Sequence, residues 1–210
     1  FLPLSFIAGN LIINLNVILI ILISLIYFGK SIIDINLLFF EKILILFFFV
    51  SLTSGIINNF NFFGFNSADS NSENFFKSFA FLRYLIFYLI LRKLIDDDII
   101  NYKIFFLTAS ICVIFVCLDL MIQLVSGKDL FGFPKTSYKL SGPFGDEMIA
   151  GSYLQRFSIF LFFLIPNYLK NMNRNILILI LSLFFILIFS SMLIAGNRMP
   201  ILLFLFVFVT

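Results

Sequence analysis

The chain has 210 residues, of which 62% are hydrophobic and only 12% charged, and its formal net charge is +3. A soluble domain carries about 25% charged residues, and a small soluble core has no room for this much apolar surface. The composition therefore excludes an ordinary water-soluble globule and predicts an all-α, polytopic transmembrane helix bundle, with the lipid bilayer as its first partner and no nucleic acid among the others. The sequence contains no histidine, which excludes histidine acid–base catalysis and histidine metal ligands within these residues.

A helix needs about 20 apolar residues to cross the hydrocarbon core, and on that measure the chain reads as roughly seven segments in a single transmembrane domain over residues 1–210. Phe1 to Gly9 reads as the stump of a helix, followed by a first full segment from Leu11 to Phe28. The second runs from Leu37 to Ile57, and the third from Lys77 to Leu94 with Arg83 inside it. The fourth, from Ile104 to Val125, contains Cys112, Cys117 and Asp119; the spacing of the two thiols fits no metal site, and they read as packing residues. The fifth, from Glu147 to Leu169, contains Arg156. The sixth runs from Ile176 to Ala195, and the seventh begins near Pro200. The chain opens on Phe1 rather than Met and closes at Thr210 inside an apolar run, so it is expected to be a piece of a longer protein.

The connections set an orientation. Arg92 to Lys103 and Lys170 to Asn175 are short and basic, so the positive-inside rule turns them toward the cytoplasm, and the loops around Ser67, Pro134 and Arg198 outward. Lys30 and Lys42 flank the first connection. Asp96, Asp97 and Asp98 read as an acidic cap for the helix that follows. In this frame Arg83 and Asp119 each lie about 9 Å, and Arg156 about 14 Å, below the outer ends of their segments, while Arg198 ends the sixth.

Charges inside a bilayer are costly and call for a partner or a function. Arg83 and Asp119 read either as a neutralising pair between helices or as part of a site, and Gln123 shares the face of Asp119 at i+4. Arg156 either snorkels or faces a cavity, and Arg198 is either an interface anchor or a site residue. Three arginines against one aspartate leave a surplus of guanidinium that suits a phosphate or pyrophosphate. The stretch Leu140-Ser-Gly-Pro-Phe-Gly-Asp-Glu147 is either a plain capping turn or a loop shaped against a lipid-linked substrate. In the second reading Gly142 and Gly145 allow close approach, and Asp146 or Glu147 supplies a carboxylate.

Five motifs then come in order: Asp119-Leu-Met-Ile-Gln123, Gly127-Lys-Asp-Leu-Phe-Gly-Phe133, Leu140 to Glu147, Ala150-Gly-Ser-Tyr-Leu-Gln-Arg156 and Ala195-Gly-Asn-Arg198. Over about residues 119–200 this series resembles the O-antigen ligase and O-antigen polymerase family of bacterial envelope proteins. Asn197 and Met199 depart from that family's usual neighbours. The resemblance implies a bundle of roughly 10 to 14 helices, of which this chain would hold about half. It also implies glycan transfer from an undecaprenyl-pyrophosphate-linked donor to a lipid or glycan acceptor, at the periplasmic face of the bacterial inner membrane, with no cofactor and no metal. Arg198, and less directly Arg156, correspond to arginines that hold the pyrophosphate and act as catalytic residues. Arg83, Asp146, Glu147, Gly142 and Gly145 are the expected substrate contacts, and Asp119 a structural charge pair. The family's loop histidine would lie beyond Thr210, so this stretch alone is expected to be inactive. Two rivals are an exporter of polysaccharide or lipid, which calls for inverted repeats, and a non-catalytic membrane scaffold.

Overall fold

The structure, a computed structural model, describes residues 2–29, 37–59, 71–135, 139–170 and 172–209. Among these it is all-helical: α1 (Leu2–Ala8), α2 (Asn10–Phe28), α3 (Phe39–Asn59), α4 (Asn71–Asp96), α5 (Tyr102–Ser126), α6 (Ala150–Tyr168), α7 (Arg174–Ala195) and α8 (Arg198–Val209), with a 3-10 turn at Gly142–Phe144. The expectations for Lys30 and for the loop around Ser67 lie outside the described residues.

Among the described residues, four helices are long and apolar enough to cross a membrane: α2, α3 (over Phe39–Ile57), α5 and α7. The chain is a membrane protein on that ground. Three of the seven expected spans fall outside this set. Helix α8 runs for 12 residues to Val209, one residue before the last of the sequence; α4 carries Lys77 and Arg83, and α6 carries Ser152, Gln155 and Arg156.

The contacts divide the chain into two compact units, one of residues 1–13 with 101–210 and the other of residues 14–100. In the first, α5 buries a stripe at helical spacing: Ala109, Val113, Val116, Leu120 and Gln123. Helix α6 meets it with Ala150, Tyr153, Leu154, Phe157, Leu161 and Ile165, and Ile188, Met192 and Ala195 of α7 and Phe204 of α8 complete the core. Phe204 stacks on Phe185 with ring centroids 5.4 Å apart. Tyr153 ties α1 in by donating its hydroxyl to the Pro3 carbonyl at 2.9 Å.

In the second unit α3 packs along α4, with Phe48 stacked on Phe81 at 4.8 Å. The charge that governs this pair is one the span reading passed over. Glu41, 1% exposed, accepts the Leu38 N–H at 2.8 Å and forms an ion pair with Arg92 of α4.

Two local expectations are corrected. Asp96–Asp98 do not cap α5. That cap is Asn101, whose side chain accepts the Lys103 N–H at 3.0 Å. The acids instead lie at the end of α4, where carboxylates oppose the helix dipole, and Arg92–Asp96 at 3.5 Å and Lys93–Asp97 at 3.3 Å offset that conflict. Nor do Asp146 and Glu147 open the fifth helix: α6 begins at Ala150, with Ile149 at its cap position. Backbone bonds from Glu147 N–H to the Phe144 carbonyl and from Ile149 N–H to the Glu147 carbonyl hold both acids in the preceding turn.

Candidate functional site

The segment between α5 and α6 is pinned to the bundle from beneath. A left-handed Gly127 ends α5, at φ 78°, and the chain turns back on itself through bonds from Asp129 N–H to the Phe133 carbonyl and from Gly132 N–H to the Asp129 carbonyl. The side chains of α5 then receive it. Asp119 Oδ1 accepts the Leu130 N–H at 2.8 Å, Gln123 Oε1 accepts the Gly142 N–H at 2.9 Å, and Gln123 Nε2 donates to the Phe133 carbonyl at 3.4 Å. Asp119 and Gln123 are both fully buried. Irregular backbone near hydrocarbon must find its hydrogen bonds inside the protein, and one polar face of α5 supplies them.

Asp119 and its expected partner Arg83 belong to different units, and within its own unit Asp119 holds a peptide N–H. Arg83, in the other unit, donates Nη2 to Asn14 Oδ1 at 2.8 Å and to the Tyr84 hydroxyl at 3.0 Å. It also lies over the Tyr84 ring at 4.9 Å.

The 3-10 turn sits in the floor so formed. Gly142 has φ 56°, and a Cβ there would come within 3.2 Å of Leu120; Gly145 has φ 62°, and its Cβ would meet the Phe133 ring at 3.2 Å. Both positions therefore require glycine for conformation as well as for space. Asp146 and Glu147 are exposed just beyond the turn, and Glu147 accepts the Asn10 side chain at 3.0 Å. Beside the turn, Leu4, Ile7, Cys112, Phe115, Phe133 and Phe144 line an apolar groove of about 710 Å³.

The step between α7 and α8 closes on the same region. Asn197 donates its side-chain amide to the Met148 carbonyl at 3.0 Å, and a Cβ on Gly151 would fall 2.9 Å from Asn197 Cβ. This sets the start of α8, and with it Arg198, against the start of α6. Arg198 is exposed as the first residue of α8. Arg156 is also exposed, on the face of α6 opposite its buried stripe. Because α6 starts later than expected, Arg156 lies about 9 Å from the helix start rather than about 14 Å. The first unit thus brings together Gly142, Gly145, Asp146, Glu147 and Arg198 near one end of α6, with Arg156 farther along and on a different face from the one that meets Asn197.

No protein-family model, curated protein or solved structure matches this chain.

Sequence reasoning missed one contributor to this site, Asn197, and in the other unit the buried Glu41. Asn197 reads as a departure from a motif, whereas its amide is what ties the two ends of the site together. Gln123 was legible from its i+4 spacing, and its role gives a prediction. Gln123→Leu should leave the buried Gly142 N–H without its partner at about 1–3 kcal/mol, while the Phe133 carbonyl loses one donor and keeps the Asp129 N–H. Thermal unfolding in detergent would read the loss, and limited proteolysis should then cut between residues 127 and 145 faster than in the parent.

Proposed function

We propose that this chain forms part of a membrane glycosyltransferase of the O-antigen ligase or polymerase type. In this reading it transfers glycan from an undecaprenyl-pyrophosphate-linked donor at the periplasmic face of the inner membrane. The observation that carries the reading is the packing of the Asn197–Arg198 step on Met148 and Gly151 at the start of α6, the helix that the glycine turn leads into. Arg198 adds a guanidinium to the N-terminus of α8, where unpaired backbone N–H groups already favour an anion. A pyrophosphate held there would have its leaving-group charge stabilised as the bond to the anomeric carbon breaks. The adjoining groove is apolar and suits a prenyl chain. Asp146 and Glu147, exposed beside it, are the carboxylates available to take the acceptor's proton.

The test is reconstitution of the protein in lipid vesicles with a polyprenyl-pyrophosphate-linked oligosaccharide and an acceptor. Transfer of the glycan, with release of polyprenyl pyrophosphate and no requirement for nucleotide, is the expected result. Movement of the donor between leaflets without any new glycosidic bond would favour an exporter instead. The orientation has its own test. A cysteine placed at Asn101, which caps α5 at its basic end, should stay unlabelled by an impermeant thiol reagent applied to the periplasmic side. Labelling there would reverse the assignment of faces.

A further inference from the structure

Two carboxylates under the α5–α6 segment remain half-used. Asp119 spends Oδ1 on the Leu130 N–H, and Asp129 spends Oδ1 on the Phe133 N–H. The Oδ2 of each is buried with no hydrogen-bond partner. Asp119 is 0% and Asp129 6% exposed. The two belong to one locus, because the N–H that Asp119 holds is that of the peptide joining Asp129 to Leu130. Asp129 thus acts on the Asp119 carboxylate electrostatically as well.

Two like charges sharing a desolvated place repel and need neutralising. Among the described residues, the ion pairs of Arg92 and Lys93 are made with Glu41, Asp96 and Asp97. Lys128 and Lys135, on the same turn, are exposed. A cation from solution can supply the neutralising charge.

We propose that Asp119 and Asp129 together bind a hard divalent cation, Ca²⁺ or Mg²⁺, that fastens the Gly127–Phe133 turn onto α5. The chemistry of the donors selects that class. Both free ligand atoms are carboxylate oxygens, the chain has no histidine, and both described cysteines lie in the helical core. Oxygen-only donors suit Mg²⁺ with most of its water retained, or Ca²⁺ with its looser geometry, rather than Zn²⁺ or Cu²⁺. The role is structural: the ion would hold the segment that carries Gly142 and Gly145, and it does not depend on the transfer reaction proposed above.

The experiment uses the purified protein in lipid nanodiscs, stripped with chelator and kept at constant ionic strength. Equilibrium dialysis against radioactive Ca²⁺, with Mg²⁺ as competitor, should show saturable uptake of one ion per chain, with a parallel rise in Tm. Asp129→Asn should weaken that uptake by more than the roughly tenfold that loss of an outer-shell partner alone can cost. Asp98→Asn, at an exposed acid in the link between α4 and α5, should leave it unchanged. Absence of saturable uptake by the parent at millimolar Ca²⁺ and Mg²⁺ would overturn the proposal, whatever the variants do. So would a parent whose Tm does not respond to either ion and is matched by the double variant Asp119→Asn with Asp129→Asn, for the pair would then be sharing a proton.

Discussion

Glu41→Leu is expected to destabilise the α3–α4 unit by about 3–5 kcal/mol, the cost of breaking a buried ion pair from one side. The glutamate performs two tasks. Its Oε2 reaches back to the Leu38 N–H, as the third residue of a helix does in half of a capping box. The same carboxylate neutralises Arg92, and the Tyr88 hydroxyl lies 3.5 Å from Oε1. Leucine removes the acceptor and takes from the guanidinium its buried carboxylate, where the Arg92 side chain is only 19% exposed. Asp96, 3.5 Å from the Arg92 Nε, offers a partial substitute, so the loss should fall toward the lower end of that range. The double variant Glu41→Leu with Arg92→Met should recover much of the loss, since a buried pair replaced by apolar groups is often neutral. Unfolding of the three proteins in the same detergent decides the matter, and a single variant as stable as its parent would show that the pair contributes nothing.

On the proposed function, Arg198→Ala should reduce glycan transfer by about 10²–10³-fold, the usual loss when one preorganised donor to a developing negative charge is removed. Arg198→Lys should keep the charge yet recover only part of the rate, because an ammonium cannot span two oxygens as a guanidinium fork does. Neither change should disturb folding, since the side chain is exposed and the contacts that fix its backbone belong to Asn197 and Gly151. Asn197→Ala supplies the contrast. It removes no charge but frees the start of α8 from Met148, so its effect should appear in both stability and transfer. Equal transfer by Arg198→Ala and the parent, in vesicles with matched protein, would remove Arg198 from the mechanism.

The helical class and most span positions were legible because lipid imposes a minimum apolar length that few other structures share. The expected segment at Ile104–Val125 and the observed α5 differ by only a residue or two at each end. What escaped was the use of polar residues near the ends of helices. Glycine and proline around residues 142–145 signalled a turn, but not that α6 would wait until Ala150. That delay changes the depth of Arg156 by about three residues of helical rise, or roughly 4.5 Å. Asp119 was rightly singled out as a costly charge, but its partner is a main-chain N–H eleven positions ahead. Main-chain groups carry no sequence signature. The acids Asp96–Asp98 were assigned to the wrong helix because they lie between two, and only the capping role of Asn101 separates them.

The side-chain anchors on α5 also constrain how the protein is made. The helix is complete at Ser126, yet the acceptor on Gln123 finds its donor only in Gly142, 19 residues later. Between those moments on the ribosome, Asp119 and Gln123 are bare polar groups on a helix otherwise apolar enough for lipid. A nascent α5 therefore has reason to linger at the wet lateral gate of the insertion machinery until the following segment has emerged and folded back. Its release into the bilayer would then be timed by the glycine turn rather than by its own hydrophobicity.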